Sequence, residues 1–598
     1  MNVESSQPPK GEHPYKRLDP LKNQIRLLKI LPVRLVDGEE QGVECSLFVT
    51  SLDDTPKYKA LSYAWGEQSN DREVVLDDRL FRVSSNLYSA LWQLQSYSRI
   101  KTFWIDALCI NQNDNLERSE QVSKMRTIYE RAENVVVWLG PTSASTSSAF
   151  SLLEDLYQHR LQKGYIASYL ESRIENLEAI AKLFGREYWD RIWVVQEVNS
   201  AKKITVQCGR YTIDWLKMKA VQEMLWADHD RYILEISSAE PRLSGLSFAI
   251  LWGGVNALEI RRRDPSSTLP DLYTTLTAFS PKRATDPRDR IFALVSLTTA
   301  RDDPRFTIDY SASLRQVYID VAKYILASSK KLDVICSMPR GYNELNLPSW
   351  VSDWAVSESK FGDALGAMMQ GRGDPFGSAG SSTAEVELKH NDEVLVADGF
   401  VLGRIQVVGR KGSLESPSDF RAAMPVLLNW YKLFTLKRGT TAAQIDAFCR
   451  VIFYDRFHSK DFVYNSEIEL MQRLLGAIAL LAQENSPSEE VDPQLVTWKE
   501  THDVSKWWAK SWIGRACRGI NCQRLFLSNT GLAGRCPDLA EPGDIICILL
   551  GCCIPVILRP HDGHYLIIGG AYVHDYMYGK GMQEYSEGKF QLQQFEIH

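Results

Sequence analysis

The chain has 598 residues, 44% of them hydrophobic and 24% charged, which is typical of a globular protein and excludes a disordered or fibrous one. A length of this size predicts roughly three to four domains. The formal net charge is −6, from 69 Lys and Arg against 75 Asp and Glu, so charge gives no argument for nucleic acid or an anionic membrane surface as a partner.

The first segment, residues 1–21, is polar and contains prolines. It lacks the apolar stretch of a signal peptide, so we expect a disordered tail. The longest apolar run, residues 544–558, contains a glycine and a proline. Because a membrane-spanning helix needs about 20 apolar residues, we expect no membrane span and a cytoplasmic protein.

The next segment, residues 22–210, alternates between strand-like and helix-like patterns. Short apolar runs are separated by stretches with apolar residues at helical spacing. The runs are "NQIRLLKIL", "ECSLFVTSL", "KYKALSYAW", "TFWIDALCI" and "NVVVWLG". Such alternation favours a parallel sheet with helices on both faces. We therefore predict an α/β domain, with any ligand beyond the carboxyl ends of its strands.

The remaining sequence divides into two regions. Residues 211–385 show mostly helical spacing, and in "ATDPRDRIFALVSL" Asp286 is placed to cap a helix and Asp289 to complete its capping box. Residues 386–598 mix helices and strands, and we expect them to end in a small antiparallel β subdomain, because short strands alternate there with Gly, Asp and Pro turns.

Two features of the sequence bear on metal binding. "HDGH", residues 561–564, is typical of a hairpin turn between strands. The eleven cysteines are scattered, and their spacing does not match the tight ligand pairs of zinc sites. We therefore predict no metal site.

The usual nucleotide-binding and hydrolase motifs are absent from the sequence: there is no GxxxxGK[ST], GxGxxG, HExxH or GxSxG. Two polar clusters remain, each directly after a predicted strand. The clusters consist of Ser62 and Trp65 in "LSYAWGE", and of Asp106, Asn111 and Gln112 in "WIDALCINQND". If the two strands are parallel neighbours, both clusters lie at one edge of the sheet.

These polar residues also have structural explanations. Asp114 or Asn115 is placed to cap the following helix, and Asn111 and Gln112 can bond to backbone groups of a turn. Asp106 lies within an apolar run, where a buried carboxylate needs partners.

The third polar element is Glu197 in "REYWDRIWVVQEV", which we predict to be one helix. At helical spacing Trp189, Trp193 and Glu197 share one side. No Arg or Lys precedes Glu197 by three or four residues, so no local ion pair accounts for it. The residue is either a solvated surface glutamate or a functional one.

The blocks "YKALSYAWG", "TFWIDALCINQNDNLERSEQVSKMRTIYERAENVVVWLG" and "DRIWVVQEV" together resemble the fungal heterokaryon incompatibility (HET) domain. The resemblance is dense over residues 22–210 and continues in "ATDPRDRIFALVSL", "LPSWVSDW" and "PGDIICILLGCCIPVILRP". It implies a fungal protein of non-self recognition, linked to growth arrest or cell death when incompatible strains fuse. Its implied partners are further copies of itself, another incompatibility protein, or both.

The HET domain is more distantly similar to the Toll/interleukin-1 receptor (TIR) domain, which has a flavodoxin-like sheet. Many TIR domains hydrolyse NAD, and others are self-associating adaptors. The resemblance implies that Glu197, in Trp193-x-x-x-Glu197, is the catalytic residue of an NAD glycohydrolase. NAD would then be a substrate, and no cofactor is implied.

The same resemblance implies which residues would contact the nucleotide. They are Ser62, Trp65, Asp106, Asn111, Gln112 and Trp193, with Trp65 or Trp193 stacking on a ring. Arg72 and Arg118 are the candidates for the pyrophosphate. Three functions stay open at this point: a self-associating signalling module, an NAD-hydrolysing death effector, and an accessory protein of a fungal metabolite gene cluster.

Overall fold

The computed structural model describes residues 15–36, 39–40, 42–66, 72–159, 169–170, 172–227, 249, 253–258, 269–303, 308–336, 345–355, 376–414, 419–455, 467–502, 504–517 and 520–598. Most of the predicted disordered tail, residues 1–14, lies outside this set. Its last residues are folded, because the Tyr15 hydroxyl donates to the Leu108 carbonyl at 3.1 Å and residues Pro20–Lys22 form a 3-10 turn. The chain forms two compact units, residues 1–271 with 282–312, and residues 272–281 with 313–598.

The first unit is built on a nine-stranded sheet. Its strands are β1 Gln24–Ile30, β4 Glu44–Ser51, β5 Lys59–Tyr63, β6 Arg72–Leu76, β7 Arg79–Val83, β8 Lys101–Trp104, β9 Asn134–Trp138, β10 Ile204–Cys208 and β11 Tyr211–Asp214. Across the sheet they lie in the order β11-β10-β9-β5-β8-β1-β4-β6-β7. Two short strands, β2 Leu35–Val36 and β3 Glu39–Glu40, form a separate ladder.

The sheet is mixed, which corrects the prediction of a parallel one. Four central strands, β8, β5, β9 and β10, run parallel. β1 is antiparallel to both β8 and β4, and β11 is antiparallel to β10. Strands and α-helices alternate from β7 to β10, whereas no described helix separates β5, β6 and β7 or lies between β1 and β4. Without a crossover helix, β1 and β4 pair antiparallel.

The helices of the first unit are α1 Ser85–Leu94, α2 Asp106–Cys109, α3 Asn115–Arg131, α4 Thr146–His159, α5 Ile174–Phe184, α6 Trp193–Ser200, α7 Trp215–Ala227 and, after α8 of the second unit, α9 Asp289–Val295. They cover both faces of the sheet, as predicted. The Ser62 side chain of β5 bonds to Glu197 of α6. Tyr63, the next residue of β5, pairs with Trp138 of β9, and the Trp138 side chain bonds to Asn86 of α1. Successive strand residues face opposite sides, so α1 and α6 lie on opposite faces.

The second unit combines helices with a β-rich part, in agreement with the predicted mixed composition. Its helices are α8 Leu272–Ala278, α10 Leu314–Ser329, α11 Phe420–Arg438, α12 Ala442–Phe453, α13 Glu467–Asn485, α14 Pro493–Thr501, α15 Lys506–Cys517 and α16 Lys580–Ser586. Its strands are β12 Val386–Lys389, β13 Val394–Val408, β14 Gln523–Ser528, β15 Ala533–Pro537, β16 Ile545–Leu549, β17 Val556–His561, β18 His564–Gly570, β19 Tyr572–Val573 and β20 Gln593–Ile597.

The long strand β13 closes the β-rich part into a ring. It pairs with β16 through Gly399–Arg404 and with β20 through Leu395–Gly399, and β16, β17, β18 and β20 are linked in turn. The core inside is apolar, with Phe400 and Ile548 fully buried. The predicted hairpin turn is confirmed between β17 and β18, where Asp562 and Gly563 have φ of 46° and 85°.

No helix among the described residues is both long enough and apolar enough to span a membrane. None of the eleven cysteines, all of which are described, forms a disulfide, and nine of them are buried. They therefore serve largely as small apolar side chains.

Candidate functional site

Glu197 lies in the interior of the first unit, with an exposed fraction of 2%. It belongs to α6, and its carboxylate accepts a hydrogen bond from the hydroxyl of Ser62 on β5. The Ser62 hydroxyl also lies 2.7 Å from that of Tyr188. The Tyr129 hydroxyl of α3 donates to the Leu61 carbonyl at 3.1 Å and lies near enough to lower the pKa of the carboxylate. Glu197 is thus a buried, hydrogen-bonded acid beside β5 and not a solvated surface residue.

The helix that carries Glu197 is shorter than predicted. Residues Glu187–Asp190 form a 3-10 turn, Arg191 is extended, and α6 begins only at Trp193. Trp189 therefore does not share a helix with Glu197, which corrects the predicted one-sided array. The break follows from pairing with a distant segment, since the amide of Ile192 donates to the carbonyl of Arg283 at 2.9 Å.

Burial raises the pKa of Glu197 to about 8. The Arg191 guanidinium acts in the opposite direction, and the carboxylate of Asp106 adds to the rise. The hydrogen bond from Ser62 lowers the pKa again. Glu197 is therefore mostly protonated at neutral pH, and its protonation responds to changes at Arg191 and Asp106.

Asp106 and Trp65 form the second part of the site. The indole Nε1 of Trp65 donates to Asp106 Oδ2 at 2.8 Å, and the amide of Ala107 donates to Oδ1 at 2.7 Å. Asp106 does not lie inside a strand as predicted, because β8 ends at Trp104 and Asp106 begins the short helix α2. Burial raises the pKa of Asp106, whereas Arg191 and the bond from Trp65 lower it.

Arg191 connects the two parts. Its Nη1 donates to the carbonyl of Tyr63 at the end of β5, and its guanidinium lies 5.8 Å from the centre of the Trp65 ring. Sequence reasoning missed Arg191 because it looked for a partner one helical turn before Glu197. It also missed Tyr188 and Tyr129, whose hydroxyls were not considered.

The predicted residues Asn111 and Gln112 have structural partners. The Asn111 amide donates to Glu117 Oε1 at 2.7 Å and its side chain accepts from the amide of Asn113 at 3.2 Å, which is a turn bond. Gln112 Nε2 donates to the carbonyl of Asp106 at 3.1 Å. The predicted helix cap is confirmed at Asp114, whose Oδ1 accepts from the amides of Leu116 and Glu117.

A buried ion pair fixes this loop to the sheet. Arg26 of β1 is 1% exposed, and its Nη1 and Nη2 contact the two carboxylate oxygens of Glu117 at 2.5 and 2.9 Å. Arg26 Nη1 also donates to the carbonyl of Cys109 at 3.2 Å. Because Glu117 in turn holds the Asn111 amide, the loop between α2 and α3 has its conformation set from both sides.

Trp193 faces a different partner from Glu197. It lies beside Asp289 of α9 and lowers the pKa of that carboxyl, whose Oδ1 accepts from the Tyr310 hydroxyl at 2.5 Å. Asp289 does not complete a capping box as predicted, because its carboxylate accepts from Tyr310. The Asp286 cap is confirmed only in part: the carboxylate accepts from the amide of Arg288, just before α9.

The predicted pyrophosphate residues are held elsewhere. Arg118 lies 3.3 Å from Asp286 and its guanidinium lies 3.7 Å from the centre of the Tyr310 ring. Arg72 is exposed on β6, and its guanidinium lies 5.7 Å from the Tyr88 ring centre. Neither contact involves Glu197 or Asp106.

The structure thus brings Ser62, Glu197, Trp65 and Asp106 together at the carboxyl ends of β5 and β8, with Arg191 between them. Asn111 and Gln112 support the adjoining loop, and Trp193 lies toward α9. Among the described residues no group of three His, Cys, Asp or Glu side chains is arranged to hold a metal ion. The arrangement is a cluster of coupled acids with one cation, placed where open α/β sheets bind ligands.

Comparison with known proteins identifies two family modules. Residues 58–197, which contain this cluster, match the family model of the heterokaryon incompatibility protein (HET). Residues 488–592, which include strands β14 to β18, match the Het-6 beta-barrel domain.

A similar protein exists in Neurospora crassa. The chain is 23% identical, over an alignment 669 positions long, to "Heterokaryon incompatibility protein 6, OR allele", a match that covers 93% of this chain and 94% of the relative. No solved structure matches. The chain therefore carries a HET domain, which contains the Ser62–Glu197 cluster, and a Het-6 barrel domain nearer its C-terminus.

Proposed function

We propose that this protein acts in fungal non-self recognition, in which fusion of incompatible cells leads to growth arrest or cell death. The observation that carries the proposal is that the match to the Neurospora crassa incompatibility protein runs through nearly the whole of both chains. Two proteins that share only a common module would align over that module alone. The likeness therefore supports a shared role for the complete chain.

The partners in this function are copies of the same chain, another incompatibility protein, or both, in the cytoplasm of the fused cell. The name of the relative includes an allele, and allele-specific action requires a partner surface that differs between strains. Sedimentation of the purified chain over a range of concentrations tests the self-association part. A single monomer peak at every concentration would leave only the heterologous partner.

A fusion assay tests the function itself. Neurospora crassa strains that express the full chain are fused with strains of the same fungus that carry either the OR allele or another allele of the gene for the relative. We expect slow growth and uptake of a vital dye in one pairing and normal growth in the other. A frame-shifted copy of the gene is the control. Equal growth in all pairings, with the protein accumulating, contradicts the proposal.

A second candidate function is hydrolysis of NAD by a TIR-like domain. The order of the four parallel strands supports it: in chain order β5, β8, β9 and β10 are the first to fourth, and across the sheet they lie in the order 2-1-3-4. Flavodoxin-like sheets have this order, and they bind ligands where the first and third strands meet. Ser62 and Tyr63 end the first strand, beside Val137 and Trp138 of the third.

The chemistry proposed for this cluster is cleavage of the nicotinamide–ribose bond. Water adds to the ribose carbon, nicotinamide leaves with the bonding electrons, and one proton is released. A carboxylate near the ribose stabilises the oxocarbenium-like transition state. Glu197 would fill that role once ionised, with Arg191 favouring the ionised form. Because Glu197 is 2% exposed, the ribose reaches it only if the Ser62 contact opens.

Release of nicotinamide from NAD by the purified chain, with and without a crowding agent, tests this second function. We expect Glu197→Gln to abolish release and Glu187→Gln, an exposed glutamate of the preceding turn, to leave it unchanged. Circular dichroism checks that both variants are folded. If the wild-type chain releases no nicotinamide under any condition, or if Glu197→Gln releases it normally, the proposal of an NAD hydrolase is wrong.

A further inference from the structure

The second unit contains a fully buried arginine, Arg535 of β15, with an exposed fraction of 0%. The strand pairs on one side with Leu525 of β14 and on the other with Tyr572 of β19, so the side chain lies inside the fold. An arginine side chain stays protonated in proteins. A full positive charge is therefore buried here.

Aromatic rings and one carbonyl account for part of this guanidinium's surroundings. Its centre lies 4.2 Å from the centre of the Tyr454 ring and 5.2 Å from that of Trp430. Nη1 donates to the carbonyl of Ile452 at 3.2 Å. The ring of Tyr454 is held in turn, because its hydroxyl donates to Gln523 Oε1 at 2.6 Å. The guanidinium is thus fixed in place by α11, α12 and the barrel strands.

The other edge of the guanidinium is unused. Within the described part of the chain, the buried Nε and Nη2 atoms of Arg535 have no hydrogen-bond acceptor. These two nitrogens point their N–H bonds in parallel from the same edge. That pair of donors matches the two oxygens of a carboxylate or phosphate group.

The charge also lacks a counterion among the described residues. The ionisable groups that act most strongly on Arg535 are Tyr454 and the thiols of Cys517, Cys522 and Cys536, none of which is an anion at neutral pH. Burial lowers the pKa of Arg535, which reflects the cost of keeping the charge there. A buried charge without a partner is strongly destabilising, and a bound anion would remove that cost.

We propose that Arg535 is the anchor of an oxyanion-binding site in the barrel unit, which takes a small phosphate or carboxylate ligand on the free Nε and Nη2 edge. The rings of Tyr454 and Trp430 orient the guanidinium, and the Ile452 carbonyl accepts from Nη1. The site lies in the second unit and is independent of the Glu197 cluster. Its ligand stabilises the fold of that unit.

Thermal unfolding of the full chain tests the site. The protein is dialysed into Tris chloride and titrated with sodium phosphate, sodium acetate or additional sodium chloride at matched ionic strength. Phosphate or acetate should raise the melting temperature by on the order of 2 °C at saturation, and chloride should not. The anion that acts distinguishes a phosphate from a carboxylate ligand. Anion that survives dialysis is measured by ion chromatography after acid denaturation.

Three variants decide the result. Arg535→Met should abolish both the shift and the retained anion, and Arg404→Met, an exposed arginine of β13, should leave both unchanged. Arg535→Lys keeps the charge without the parallel donors and should reduce the shift, so it answers the question if Arg535→Met does not fold. The proposal is overturned if the wild-type chain shows neither a shift nor retained anion, or if Arg535→Lys responds like the wild type.

Discussion

At the scale of single residues, burial decides how the polar side chains of the first unit behave. Glu197 is buried, accepts from the Ser62 hydroxyl and has a raised pKa, whereas Glu117 is partly buried and is paired with Arg26. The first is suited to holding a proton, and the second to holding a charge. Two substitutions test this difference.

Replacement of Glu197 should change how stability depends on pH. The folded chain keeps the proton on Glu197 up to about pH 8, whereas an unfolded chain loses it near the ordinary value of 4.5. The contribution of Glu197 to the free energy of unfolding is therefore fully present below pH 4.5. It declines as the pH rises toward 8, by about 1.4 kcal/mol per pH unit. Glu197→Gln should lose that slope in urea unfolding between pH 5.5 and 7.5. Parallel curves for the variant and wild type contradict the prediction, and Glu187→Gln is the control.

Replacement of Glu117 should lower the free energy of unfolding far more than replacement of a surface glutamate on the same helix. Glu117→Gln leaves the charge of Arg26 buried without its partner, which costs about 3–5 kcal/mol of unfolding free energy. Glu120 of α3 forms a partly exposed pair with Lys124, and Glu120→Gln should cost less than about 1 kcal/mol. Urea unfolding of both variants measures the difference. Equal losses would show that the Arg26 pair contributes no more than a surface contact.

The sequence predicted which polar residues of the site lie near one another better than it predicted the hydrogen bonds between them. Ser62 and Asp106 could be placed at one sheet edge because each follows an apolar run. The Ser62–Glu197 bond could not be foreseen, since it depends on how α6 crosses β5. The contribution of Arg191 was missed because α6 begins at Trp193, and that start is fixed by backbone pairing with Arg283, far along the chain.

At the scale of elements, local patterns identified strands and helices, and long-range pairing decided their bounds and directions. The hairpin at Asp562-Gly563 and the cap at Asp114 were predictable because each depends on a few adjacent residues. The antiparallel position of β1 was not, because an apolar run carries no sign of its direction. Long-range pairing also makes particular glycines in β13 critical.

Gly399 of β13 should not tolerate a side chain. A Cβ atom at this position would lie 2.4 Å from the backbone oxygen of Ile548 on β16, so the ring could close only after a backbone shift. We expect Gly399→Ala to cost about 1–3 kcal/mol of unfolding free energy, as overpacking does. Gly377 has no atom within 4 Å of a Cβ position, and Gly377→Ala is the matched control. Similar stability of the two variants, measured by urea unfolding, would mean that the β13–β16 contact adapts easily.

At the scale of the whole molecule, the first compact unit draws on two stretches of chain. Residues 282–312 return to it after a stretch that belongs to the second unit. They supply Asp289 to Trp193, and the Lys282 ammonium donates to the carbonyl of Trp189 at 2.6 Å. Such a return gives no compositional sign in the sequence, and the predicted range of 22–210 for the α/β domain remains a prediction.

A pair of fragments tests this contribution. Residues 1–312 contain both stretches, whereas residues 1–227 lack the return. We expect the longer fragment to unfold cooperatively on heating and the shorter one to melt at a lower temperature or aggregate, because Trp189 and Trp193 lose their partners. Circular dichroism and near-ultraviolet spectra of both fragments provide the measurement. Equal melting temperatures would show that residues 282–312 add nothing to the unit.

The closure of the barrel by β13 has a consequence for biosynthesis. Residues 395–399 emerge from the ribosome long before their partners 593–597, and so wait with an unpaired edge while nearly two hundred further residues are translated. An apolar strand in that condition invites pairing with other nascent chains. Cells that make this protein in quantity should therefore depend on chaperones that shield β13 during translation.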